Sequence, residues 1–129
     1  MKVTTGTDVE SNPEVLAAHK IAREVFAAVS TKWGLRTLEY LDGPPKRFAD
    51  VCRSVGPVSH KVMTQTLRTL EHSGLVARRD HGGASPHVDY SLTPAGSELL
   101  ALLHNMCAWS RAHLDELIES GATHASRDV

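Results

Sequence analysis

Residues 54–74 leave the chain little conformational choice. Ser-Val-Gly-Pro-Val at 54–58 puts a glycine and a proline into one short stretch, which reads as a turn. Ser59 then offers an N-cap, Met63, Leu67 and Leu70 repeat at helical spacing, and Gly74 closes the segment as a C-cap residue does. The spacing predicts a helix over about 60–73. Phe48, Val51 and Cys52 mark a shorter helix just before the turn, so the order is helix, turn, helix. The polar face of the second helix carries His60, Lys61, Thr64, Gln65 and Arg68, with no acid until Glu71. These side chains donate to phosphates or to base edges.

The flanks build outward from this unit. Leu-Val-Ala-Arg-Arg at 75–79 and His-Val-Asp-Tyr-Ser-Leu at 87–92 alternate as strands do, and the Gly-rich stretch at 80–86 joins them as a hairpin loop. Alternation sends Arg78 and Arg79 to opposite faces, so one of the two is expected to face a nucleic acid. Upstream, Asn12 and Pro13 open a helix along Val15, Ala18, Ala22, Val25, Phe26 and Val29. Trp33, Leu35, Leu38 and Leu41 mark a second helix, which must end before Gly-Pro-Pro at 43–45. Thr93 and Pro94 begin a long last helix whose apolar residues, Leu99 through Ile118, lie on more than one side. One small domain cannot bury them all, and a partner is expected.

The predicted fold is mainly α with a small β-hairpin: a winged helix-turn-helix domain at 13–118 with N- and C-terminal helices for dimerisation. Residues 1–12 and 119–129 are polar and are expected to be flexible tails. A chain of 129 residues, 41% hydrophobic, suits one domain. No apolar run approaches the ~20 residues that span a bilayer, and the N-terminus lacks the blocks of a secretory signal, so no membrane association and a cytoplasmic location are expected. The net charge of −1 excludes an indiscriminate polycation, yet residues 46–90 hold seven basic and four acidic side chains. No glycine-rich phosphate loop, nucleophile elbow or zinc-protease histidine pair is present, so neither catalysis nor a cofactor is expected.

With these motifs in order, the chain resembles the HxlR family of winged helix-turn-helix transcriptional regulators, and more loosely the MarR-type regulators. The likeness rests on Lys-Trp at 32–33, Arg-Phe at 47–48 opening the third helix, the stretch from Ser59 to Glu71, Gly-Leu-Val-Ala-Arg at 74–78, Val-Asp-Tyr-Ser-Leu-Thr-Pro-Ala-Gly at 88–96, and Trp109. It implies a homodimer, built from the first and last helices, on an inverted repeat of double-stranded DNA. Ser59, His60, Lys61, Thr64, Gln65 and Arg68 would make the recognition surface, with Arg78 and Arg79 at the wing. Two features depart from the family pattern: residues 1–30 hold no cysteine, and Ser30 and Thr31 stand where paired glycines are common.

Other candidates have plainer readings beside them. Phe26, Trp33 and Trp109 could border a pocket for an apolar effector, or simply fill core. Cys107 could sense redox state at a dimer interface, whereas Cys52 reads as a small buried hydrophobe. His104 and Cys107 share a helical face, but two ligands alone do not make a metal site. The rival to a DNA-binding repressor is a winged-helix module that binds another protein.

Overall fold

The computed structural model describes residues 12–127, with side chains to residue 121. Two compact units divide the chain, the first ending at Ser97 and the second beginning at Glu98. In the first, helix α1 runs Pro13–Val29, α2 Gly34–Leu41, strand β1 Lys46–Arg47, α3 Phe48–Val55, α4 His60–His72, β2 Val76–His81 and β3 His87–Leu92. Helix α5, Pro94–Ala112, begins in the first unit and continues into the second, which also holds α6, Leu114–Arg127.

Local chemistry accounts for the element ends. The Asn12 side chain accepts from the backbone N–H groups of Glu14 and Val15, with Pro13 at the first helical position. Ser59 Oγ accepts from Val62 N at 3.1 Å and starts α4. Thr93 Oγ1 accepts from Gly96 N at 3.0 Å and donates to the Gly74 carbonyl at 2.7 Å, so one hydroxyl caps α5 and ties it to the end of α4. Gly96 lies so close to Leu75 that a Cβ would overlap the Leu75 carbonyl oxygen.

The core of the first unit is Leu38, Leu41, Val51, Met63, Leu67, Leu70 and Val76, each at most 2% exposed. It clamps α2, α3 and α4 around one apolar centre. Thr37 is also buried, and its hydroxyl donates to the Trp33 carbonyl at 2.7 Å, so no polar cost is left unmet. Burying each such apolar side chain is worth roughly 1.5–3 kcal/mol, which holds the helix-turn-helix angle far more firmly than helix propensity could.

Three features differ from the sequence reading. The hairpin is part of a three-stranded antiparallel sheet, ordered β1-β3-β2, with Lys46 opposite Tyr90 and Arg47 opposite Asp89. Arg47 and Phe48 open the third helix as expected, with Arg47 at its N-cap, and the extended backbone of Arg47 also lets it pair with Asp89 at the open edge of β3. The last helix is divided at His113, although His113 N still donates to the Trp109 carbonyl and its own carbonyl accepts from Leu117 N. Helix α6 also extends to Arg127, past the boundary at 118, because each added residue of a formed helix gains a backbone hydrogen bond. Of the expected N-terminal tail, residues 1–11 lie outside the described residues.

Candidate nucleic-acid interface

Helix α4 has two sharply different sides. Met63, Thr66, Leu67 and Leu70 face the core, and opposite them Lys61, Gln65, Arg68 and His72 are all exposed. The latter four follow i, i+4, i+7, i+11 spacing and form one stripe of donors without a carboxylate. His72 was not among the residues singled out in the sequence, although its spacing from Arg68 and Gln65 signals it.

The other residues expected at this surface are more tied down. Ser59 is exposed, and its hydroxyl is engaged as the N-cap. His60 packs its ring on Phe48 with centroids 4.6 Å apart. Thr64 is half-buried and donates to the His60 carbonyl at 2.8 Å, leaving its hydroxyl oxygen free to accept. The first-turn N–H groups of α4 lie beside Lys61, so partial positive charge and an ammonium converge at one helix end.

Two hollows flank the stripe. One, of about 530 Å³, lies between α1 and α4 and is lined by Glu24, Ala28, Gln65, Arg68, Thr69 and His72 among others. A second, of about 350 Å³, is more apolar and is bordered by Ala28, Lys32, Trp33, Val62, Gln65 and Thr66. Trp33 is buried, and Lys32 Nζ stands 5.1 Å from its ring centroid. Phe26 is 65% exposed and does not line this second hollow. Trp109, in the second unit, is also exposed.

At the wing, Arg78 and Arg79 are both exposed and alternate between faces of β2. Arg79 stands opposite Asp89 in register, and Arg47 stands opposite Asp89 on its other side. Arg78 shares the β2 face of Val76, which is buried. Among the described residues no helix is long and apolar enough to cross a membrane.

Of the two thiols, Cys52 is half-buried on α3, and burial pushes its pKa up. Cys107 is half-buried on α5.

A compact set of helices, a capped second helix with an exposed donor stripe and an antiparallel wing define a winged helix-turn-helix protein of the transcriptional-regulator class. Residues 28–118 match the HxlR-like helix-turn-helix family, and the chain belongs to it. It is 35% identical over 97 residues to the uncharacterized HTH-type transcriptional regulator YtfH of Escherichia coli K12, covering 75% of this chain and 77% of that one. A solved transcriptional regulator of the MarR family from Enterococcus faecalis V583 superposes with a TM-score of 0.68 at 25% identity, covering 84% of this chain and 96% of that one. The redox regulator HypR in its reduced form superposes with a TM-score of 0.62 at 27% identity, over 76% and 97% of the two chains. These are regulators rather than enzymes.

Proposed function

We propose that this regulator is a homodimeric, sequence-specific repressor that lays α4 in the major groove of an inverted-repeat operator. The observation that carries the reading is the carboxylate-free stripe of Lys61, Gln65, Arg68 and His72, opposite a fully buried core face. Lys61 and Arg68 neutralise phosphates, together with the first-turn N–H groups of α4. Gln65 reads adenine through its paired donor and acceptor, and Thr64 offers a second, shorter contact. His60, held against Phe48, and Ser59 border the backbone at the start of the helix. Arg78 and Arg79, both exposed, give the wing its charge. Blocking a promoter then needs no further domain.

Support for the dimer comes from uncovered apolar surface. Val15, Ala18, Ala22, Val25, Phe26 and Val29 form the apolar stripe of α1, yet only Val29 of this set is buried. Along α5, Leu102, Met106 and Trp109 are 49–63% exposed at i, i+4, i+7 spacing, and Leu114, Leu117 and Ile118 continue this in α6. Rows of apolar side chains left in water on a helix commonly mark an interaction surface. A second copy supplies the cover, and its two-fold axis sets paired recognition helices about 34–36 Å apart.

The effector reading rests on the hollow beside Trp33, whose volume falls within the usual range for small-molecule sites. An apolar ligand there presses on Val62 and Thr66 of α4 itself. For redox sensing, Cys107 is the better placed thiol, since burial disfavours the Cys52 thiolate.

The test is selection of bound duplexes from a random library by purified protein at moderate salt. An enriched inverted repeat upholds the reading. A pool without enrichment, in both the presence and absence of candidate apolar ligands, favours the protein-binding alternative.

A further inference from the structure

At the outer end of the wing, three side chains with metal-binding atoms meet on one face of the hairpin. His81 and His87 are directly opposite each other in register, and Asp89 lies two residues further along β3, so alternation points all three to the same side. The His81 and His87 rings stack with centroids 4.4 Å apart and planes 12° from parallel. His81 Nε2 is 2.8 Å from Asp89 Oδ2. One ligand atom from each of the three lies within 4.8 Å of the others.

We propose that His81, His87 and Asp89 form a site for one divalent transition-metal ion of the zinc class. Hydrogen bonding at the site pairs His81 with Asp89 and sets the His87 tautomer. His87 Nδ1 lies 3.0 Å from the Ser85 carbonyl oxygen, which can only accept, so the proton sits on Nδ1 and the lone pair on Nε2. A backbone carbonyl holding the remote nitrogen is the usual outer-shell support of a metal-bound histidine. At His81 the ion takes the place of the Nε2 proton shared with Asp89, and in the neutral ring that proton passes through solvent to Nδ1. Bonds of about 2.0–2.1 Å in a tetrahedral arrangement separate ligand atoms by roughly 3.3 Å. The 2.8 Å contact therefore opens by about half an ångström, and the His87 ring turns out of its stack on His81 to aim Nε2 at the ion, because a lone pair lies in the plane of its ring.

The surroundings select the kind of ion. Arg47 and Arg79 stand opposite Asp89 on its two sides, and their charges oppose any cation held by charge alone. Hard ions such as Mg²⁺ and Ca²⁺, which need several oxygens, are disfavoured, whereas two imidazoles suit Zn²⁺, Co²⁺ or Ni²⁺. The His81 side chain is 34% exposed and that of Asp89 15%, which leaves room for a water as the remaining ligand. Bound there, the ion cross-links β2 to β3 beside the loop at 82–86 and stiffens the wing. This inference stands apart from the DNA-binding reading, because it concerns ion uptake by the free protein.

The experiment titrates Zn²⁺ into the purified full chain against a reporter chelator, and repeats it with Co²⁺ by visible absorption. One ion per chain is expected, with Co²⁺ bands that lack a thiolate charge-transfer component and no competition from excess Mg²⁺. His81→Gln and His87→Gln should each weaken binding by more than the roughly 10–100-fold that loss of an outer-shell partner costs. Asp89→Asn, which retains an acceptor for His81, should weaken it as well, with thermal midpoints confirming that all three variants fold. Cys107→Ser should bind as the parent does. Zn²⁺ uptake that survives His81→Gln and His87→Gln together, a thiolate band with Co²⁺, or no uptake at micromolar free Zn²⁺ would each overturn the proposal.

Discussion

Gly56 lies against the face of Trp33: a Cβ on Gly56 would stand 2.9 Å from Trp33 Cζ3. The same glycine holds φ at +142° and ψ at −170°, a region that side-chain-bearing residues avoid. The turn between α3 and α4 is thus seated on a tryptophan from the start of α2. Gly56→Ala combines backbone strain with overpacking, and should cost about 2–4 kcal/mol of stability. Urea denaturation checks this, and a loss under about 0.5 kcal/mol, the range of neutral surface changes, would contradict it.

Met63 and Gln65 test the two sides of α4 separately. Met63 is fully buried, and Met63→Ala should cost about 2–5 kcal/mol. Gln65 is exposed, so Gln65→Ala should change stability by no more than about 0.5 kcal/mol while altering the preferred base at particular operator positions. Paired unfolding curves and a repeat of the duplex selection separate the two effects.

Much of this architecture was legible because local signals agreed. The Ser59 cap, the Met63–Leu67–Leu70 spacing and the Gly74 stop all point to the helix that forms at His60–His72. The stretches at 75–79 and 87–92 alternate as paired strands do, but β2 runs on through Asp80 and His81, which the sequence reading left in the loop, because Val88 and His87 stand opposite to pair with them. Strand β1 was not legible, since two residues carry no period, and Lys46 and Arg47 become a strand only because β3 offers an open edge. The seating of Gly56 on Trp33 joins positions 23 apart in sequence, beyond any local pattern. At the candidate interface, residue types were readable, but which hydroxyls are engaged within the helix was not: Ser59 accepts as a cap, and Thr64 donates its proton to the His60 carbonyl and keeps only its acceptor.

Met106 occupies the middle of the exposed α5 stripe, at 49% exposure, between Leu102 and Trp109. Met106→Glu places a charge within the surface expected to pair with a second copy, and should shift the protein from dimer to monomer in sedimentation velocity runs. A dimer that persists at low micromolar concentration would locate the interface elsewhere.

Burial raises the Cys52 pKa, because the charged thiolate is the form disfavoured away from water. Cys52 should therefore be alkylated more slowly at neutral pH than a free thiol of ordinary pKa near 8.5. A raised folded-state value also means that the folded chain binds this proton more tightly than the unfolded one. The resulting stability is complete below the ordinary thiol pKa and is lost as pH rises through the raised value. Mass-resolved iodoacetamide labelling, with Cys107→Ser to isolate Cys52, measures the rate. Labelling as fast as free cysteine would contradict the assignment.

The central claim is that α4 binds DNA through the stripe of Lys61, Gln65, Arg68 and His72. The most direct measurement is fluorescence anisotropy of the selected operator duplex over a range of salt, for the parent and Arg68→Ala. Binding should weaken steeply with salt, with a slope of log affinity against log salt of about −0.9 per phosphate neutralised. Arg68→Ala should weaken binding to operator and unrelated DNA alike and flatten the slope by about 0.9 per recognition helix, or about 1.8 for a dimer. An unchanged affinity and slope in Arg68→Ala would contradict the account and remove α4 from the groove.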